Sequence, residues 1–306
     1  MKPFNTLHED LIHDLQYDFY GKHIATASSD QHIKVFDYDS YTNGWVLNDL
    51  WKAHDSLIVK ISWAHPEFCA TKLLASCSYD RTVKVWQESP DELHGLGRRW
   101  VKLATLAVES YGPIYDVVFA PKHLGLKLGC IGLDGVFRIY ESTESADLTA
   151  WQLTTEIPFL QSILPAKNLQ STFALEWCPT KFTSREMFIV VAIDQAFIYG
   201  SNANSNGTQL SGIIPADRGE EIESTALKYV KLCNLPEHNA LIRSVSWAPS
   251  MGRKHHFIAT GCKDGLVRIF KATESDGELI VELVASLNEH KLEVWKVSWN
   301  LTGTIL

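Results

Sequence analysis

Three sets of residues in this chain could each supply a nucleophile, a base and an orienting acid. They are His54, Ser76 and Asp80; His8, Thr26 and Asp30; and His238, Thr260 and Asp264. In every set the hydroxyl residue stands four positions before the Asp. A hydroxyl, an imidazole and a carboxylate in hydrogen-bonded series make a serine-hydrolase triad. Such a site is needed once, whereas this pattern is reiterated, and repetition favours a structural role. No G-x-S-x-G, G-x-x-x-x-G-K-[ST], H-E-x-x-H or G-x-G-x-x-G occurs to support an enzyme. The pair His255-His256 could suggest a metal, but adjacent residues of a strand or turn point apart, and both are expected to be exposed.

The sets sit inside a longer unit. A histidine is followed nine residues later by an aromatic in four places: His8 and Tyr17, His54 and Trp63, His238 and Trp247, His290 and Trp299. Between them apolar residues alternate with small or polar ones, as in a half-buried strand. Two further copies end at Phe119 and Trp177, with Ser110 and Asn168 in the histidine's place. Next comes a strand of small residues, an Asp turn, and a strand closing on an aromatic. Phe36, Trp86 and Phe270 follow their Asp by six residues; Asp134 with Tyr140 and Asp194 with Tyr199 are weaker versions. A polar loop and a fourth strand complete each unit. Four short strands per unit predict propeller blades, with surplus length in loops. The whole of 1–306 then forms one all-β domain, with units at about 8–52, 54–106, 110–155, 168–232, 238–287 and 290–306. The longest loop, about 200–225, is rich in Asn, Ser, Gly and Glu and is expected to lack order.

Bulk properties exclude several classes. The formal charge of −8, from 28 basic and 36 acidic residues, argues against direct nucleic-acid binding. Arg98-Arg99 and Arg253-Lys254 are too short to make a basic patch and are expected to be solvated loop charges. Six scattered cysteines show no metal-ligand spacing, so no cofactor is expected and reduced thiols of a cytosolic or nuclear protein fit best. The longest apolar run, 187–193, is far too short to cross a bilayer, and no apolar signal-peptide core opens the chain. Membrane contact is expected only through partners.

These units resemble the WD-repeat family over essentially the whole chain, most specifically at residues 74–86, Leu-Ala-Ser-Cys-Ser-Tyr-Asp-Arg-Thr-Val-Lys-Val-Trp. The resemblance implies that His54, Ser76, Asp80 and Trp86 form a hydrogen-bonded network, with partial sets His8/Thr26/Asp30 and His238/Thr260/Asp264. Stretches 13–26, 119–128, 244–250 and 293–304 are similar to the Sec-thirteen homologue nucleoporins within that family. That similarity implies an open six-bladed WD-repeat β-propeller, completed by a blade inserted in trans from a helical-solenoid nucleoporin of the Nup-eighty-five type. It also implies the other nucleoporins of the Y-shaped pore coat as partners. A second implied setting is the SEA (in animals, GATOR) complex, whose subunits govern TOR signalling at the cytoplasmic face of the vacuole or lysosome membrane. A COPII-type coat propeller, or an adaptor binding peptide on its top face, is the alternative. The sixth unit reaches only the start of its second strand at Leu306, so an incomplete, frayed last blade is expected. Leu15 and Tyr17 on one side of the gap, and Val294, Val297 and Trp299 on the other, are the expected contacts for the partner's blade.

Overall fold

The computed structural model describes residues 4–142, 148–159, 172–181, 183, 185–202, 228–236, 238–275 and 278–306. Asn168 and nearly all of the 200–225 loop lie outside these residues. Among the described residues twenty strands form five four-stranded antiparallel sheets, each a meander in chain order. The first holds β1 (Ile12–Tyr17), β2 (His23–Ser28), β3 (His32–Asp39) and β4 (Gly44–Lys52). The second holds β5 (Ile58–Trp63), β6 (Leu73–Ser78), β7 (Val83–Glu88) and β8 (Trp100–Leu106). The third holds β9 (Ile114–Phe119), β10 (Lys127–Gly132), β11 (Val136–Glu141) and β12 (Gln152–Pro158). In the fourth are β13 (Phe173–Trp177), β14 (Met187–Ala192), β15 (Gln195–Ser201) and β16 (Tyr229–Asn234). The fifth comprises β17 (Ile242–Trp247), β18 (His255–Cys262), β19 (Val267–Ser275) and β20 (Glu278–Leu287). The protein is an all-β, open propeller of four-stranded blades. Among the described residues no helix is long and apolar enough to cross a membrane.

Small residues in the second strands let neighbouring sheets close on one another. Every residue of β6 and β10 is buried, and a Cβ on Gly129 would stand 2.8 Å from Leu175 Cδ2 of the next sheet. The apolar cores accordingly lie between sheets: Ile33, Trp51 and Ile61 at the first junction, Val85 and Val117 at the second, Phe137 and Phe188 at the third, Ile198 and Ile242 at the fourth. The recurrent Asp has a local purpose. Its carboxylate accepts the backbone N–H two residues on, at 2.9 Å for Asp30, 3.0 Å for Asp80, 3.2 Å for Asp134 and 3.0 Å for Asp264, closing the β-turn.

Residues 290–306 differ from expectation in two ways. No strand forms over 292–299, because among the described residues no neighbouring segment pairs with it as a sheet partner. Nor is the segment frayed. It is seated on the fifth sheet, where Val294 N donates to Cys262 O (3.1 Å), Val297 N to Ser244 Oγ (3.3 Å) and Trp299 Nε1 to Ser246 O (3.2 Å). Val294 and Val297 are buried against Ala259 and Val267. Gly261 makes this approach possible, since a Cβ there would lie 2.8 Å from Val294 Cγ1 and 3.1 Å from Val297 Cγ1. Gly261→Ala is therefore expected to cost about 1–3 kcal/mol in urea unfolding; an unchanged midpoint would refute the close fit.

Three other expectations are corrected. Arg99 is buried, its Nε donating to Glu88 Oε1 at 2.9 Å and its Nη1 to Glu92 O at 2.7 Å. Arg253 donates from Nη1 to Gly303 O at 3.0 Å and from Nη2 to Pro249 O at 2.8 Å, so it anchors the final segment. His256 is buried, with its ring edge-on to Trp247. In each case packing within or between units recruits a side chain that charge alone would place in water.

Candidate functional site

The second unit carries the fullest polar network. Trp86 Nε1 donates to Ser76 Oγ at 2.9 Å. Ser76 Oγ lies 2.8 Å from His54 Nε2, and His54 Nδ1 lies 2.8 Å from Asp80 Oδ2. The carboxylate assigns the tautomer: Nδ1–H donates to Asp80, and Nε2 accepts from the serine hydroxyl. Burial keeps the His54 imidazole neutral by lowering its pKa, although Asp80 opposes the shift. Burial disfavours the Asp80 carboxylate in turn, but hydrogen bonds from His54 and Thr82 hold it well below the usual range. The atoms are those of a catalytic triad. The arrangement is not one, because Ser76 is 0% exposed and already holds the indole N–H, so no substrate carbonyl reaches its oxygen.

The first set follows the same plan, with His8 Nε2 at 2.8 Å from Thr26 Oγ1 and Nδ1 at 2.7 Å from Asp30 Oδ2; Phe36 replaces the indole. The third set is brought together only in part. His238 Nε2 contacts Thr260 Oγ1 at 2.9 Å, but Asp264 is drawn to Arg268 Nη2 at 2.6 Å. Arg268 stands four residues after its Asp, where the complete sets have Lys34 and Lys84. Those lysines instead reach backbone carbonyls, Leu7 O and Ala53 O. Arg138 claims Asp134 in the same manner, at 2.8 Å.

His238 titrates accordingly. Burial, with Arg268 adding to it, lowers its pKa to about 4 from the ordinary 6.5. The unfolded chain therefore binds the proton first, and stability falls as pH drops from about 6.5 towards 4. His8, His54 and His256, also lowered chiefly by burial, act with the same sign. His238→Gln should flatten the slope by up to about 1.4 kcal/mol per pH unit. Urea midpoints measured between pH 4 and 7 check this, and an unaltered slope would contradict it.

Neighbouring units are stapled by a second repeated device. Trp63 Nε1 donates to Gln16 O (3.1 Å) and Trp177 Nε1 to Val118 O (3.3 Å), the bond that Trp299 makes to Ser246. Side chains of one inner strand also accept N–H groups of the next: Asp14 from Ile61, Ser62 from Phe119, Asp116 from Leu175, Ser244 from Val297. Residues 294–299 thus occupy the inner place of a sixth unit.

The junction between that unit and the first sheet is different. The first sheet takes all four of its strands from residues 12–52. Among the described residues no apolar core joins the two, and a cleft of about 610 Å³ lies between β1 and Lys296 with Ser298. Leu15 and Tyr17, 39% and 46% exposed, line it. Val294 and Val297 face the fifth sheet instead, and Trp299 is spent on Ser246, so these three do not present themselves to the cleft. Charged side chains of the inner strands, Asp14, Lys60, Asp116 and Glu176, lie within electrostatic reach of one another at the ring's centre. Burial, reinforced by Asp116, pushes Glu176 up to about 8. Among the described residues no cluster of His, Cys, Asp and Glu is arranged to hold a metal.

Comparison with known proteins agrees with this architecture. The WD domain, G-beta repeat model matches residues 1–37, 48–87 and 229–271. The chain is 46% identical to Nucleoporin SEH1 of Saccharomyces cerevisiae, over 100% of this chain and 91% of that protein. It is 35% identical to Nucleoporin seh1 of Schizosaccharomyces pombe, over 98% and 87%, and 36% identical to Nucleoporin SEH1 of Homo sapiens, over 98% and 79%. A chain in the crystal structure of the mitotic checkpoint complex superposes with a TM-score of 0.61 at 13% identity, over 95% of this chain and 69% of its own, a likeness of fold alone.

Proposed function

The chain belongs to the SEH1 nucleoporins of the WD-repeat family, and from that premise we propose that it is a nuclear-pore scaffold whose open ring receives a blade in trans from a helical-solenoid nucleoporin of the Nup-eighty-five type. The observation that carries this reading is the seam at the first sheet, a cleft of about 610 Å³ flanked by Leu15 and Tyr17 where every other junction has a packed core. A donated sheet would cover those apolar side chains as each blade covers its neighbour. Other nucleoporins of the Y-shaped coat, and through them the nuclear envelope and transport across it, are reached by way of the solenoid. The protein acts by holding partners and not by turnover. The same seam would serve a subunit of the SEA or GATOR complex at the vacuole or lysosome; since it takes one blade at a time, the two assemblies compete for the chain.

Co-expression with the solenoid nucleoporin tests the proposal. The expected result is a one-to-one complex in size-exclusion chromatography with light scattering, and a cooperative melt that moves up with partner concentration. Recovery of the chain as a free monomer at micromolar concentrations of both proteins would overturn it.

A further inference from the structure

Charges at the ring's centre cross the open seam. Asp14, on β1, is 5% exposed, and each of its carboxylate oxygens is in use. Oδ2 accepts from Ile61 N of the second sheet at 3.3 Å and from Gln16 Nε2 at 3.1 Å. Oδ1 accepts from Lys296 Nζ at 2.8 Å, and the same ammonium lies 3.5 Å from Leu15 O. One carboxylate thus ties the first sheet both to its successor and to the segment 282 residues further along the chain. Burial opposes ionisation of Asp14, but Lys60 and Lys296, with the hydrogen bonds, outweigh it and hold the carboxyl below its ordinary pKa. The Asp14 carboxylate is therefore ionised at neutral pH.

Packed sheets stand about 10 Å apart, so a blade inserted between the first sheet and the sixth unit needs roughly 20 Å between its neighbours. A lysine in hydrogen-bond contact with an aspartate does not reach across that distance. At the ring's centre the ion pair and an inserted blade therefore exclude one another. We propose that Asp14 and Lys296 form a latch that closes the seam of the free ring, and that a donated blade enters by breaking it. The latch stands on the free chain alone, whereas its gating of entry rests on the blade-donation reading.

Hydrogen exchange on the free chain and association kinetics with the purified solenoid nucleoporin test the two halves separately. Lys296→Met keeps the apolar stem and removes the charge. Exchange at the Val294 and Val297 amides should then quicken about tenfold, with the Cys77 amide of β6 unchanged as the control for global folding. Lys296→Arg should keep the slow rate. Capture of the solenoid by Lys296→Met should be severalfold faster than by the parent chain. Unchanged exchange at Val294 and Val297, or equal acceleration at Cys77, overturns the latch. Faster exchange with unchanged or slower capture overturns the gate. If neither protein captures the solenoid, the blade-donation reading and the gate fail together, and exchange still decides the latch.

Discussion

Replacing Asp80 with alanine is expected to lower the unfolding free energy by about 3 kcal/mol. Its carboxylate accepts four donors: His54 Nδ1, Asp55 N at 3.2 Å, Thr82 N at 3.0 Å and Thr82 Oγ1 at 2.6 Å. The alanine variant removes the acceptor from all four; Asp55 N turns to water, but His54, which is buried, is left with only the Thr82 hydroxyl at 3.3 Å. Trp86→Phe removes one donor of the same network and should cost about 1 kcal/mol. The Asp80 contribution is present above the ordinary carboxylate pKa and disappears as pH falls through the depressed folded value. At neutral pH both variants should shift the urea midpoint with little change in slope. A midpoint for Asp80→Ala within about 0.5 kcal/mol of the parent would show that the network is incidental to stability.

The double variant Leu15→Ala, Tyr17→Ala should weaken capture of the solenoid nucleoporin by about a hundredfold or more, since half-exposed apolar and aromatic side chains beside an unfilled cleft have the character of interface anchors. The same changes should lower the unfolding midpoint only modestly, through the lost edge-on contact of Tyr17 with Trp45, because neither residue belongs to the buried core. Titration by calorimetry reads both proteins on one scale. Affinity equal to the parent's would move the interface away from β1 and return the top face as the place to look.

The repeat was legible because its marks are local. His54, Ser76, Asp80 and Trp86 are set by spacing along single strands and turns, and the turn that needs an Asp carboxylate needs it in every unit. Blades with a missing histidine could still be found from Phe119 and Trp177, each closing an inner strand. What escaped depends on choices between neighbours. Asp264 leaves its histidine because Arg268, four positions on, offers a stronger partner than the lysine of the complete sets; that Arg-for-Lys difference was visible in the chain and could have been used. The direction of Val294 and Val297 could not be found from alternation alone, which sorts residues into two faces without saying which one meets the fifth sheet. Lys296 and Asp14 each stand three residues before their aromatic, Trp299 and Tyr17, so their shared place at the centre was also present in the spacing. Their encounter required the ring itself.

Staples that join only adjacent units, with one junction cleft where the others are packed, give the molecule the mechanics of a split washer. Close-packed junctions resist shear and compression, so a bending load carried by the assembly concentrates at the single cut. Once the Asp14–Lys296 pair breaks, the bore is free to widen there while each blade keeps its internal register, and whatever fills the cut sets the stiffness of the whole hoop.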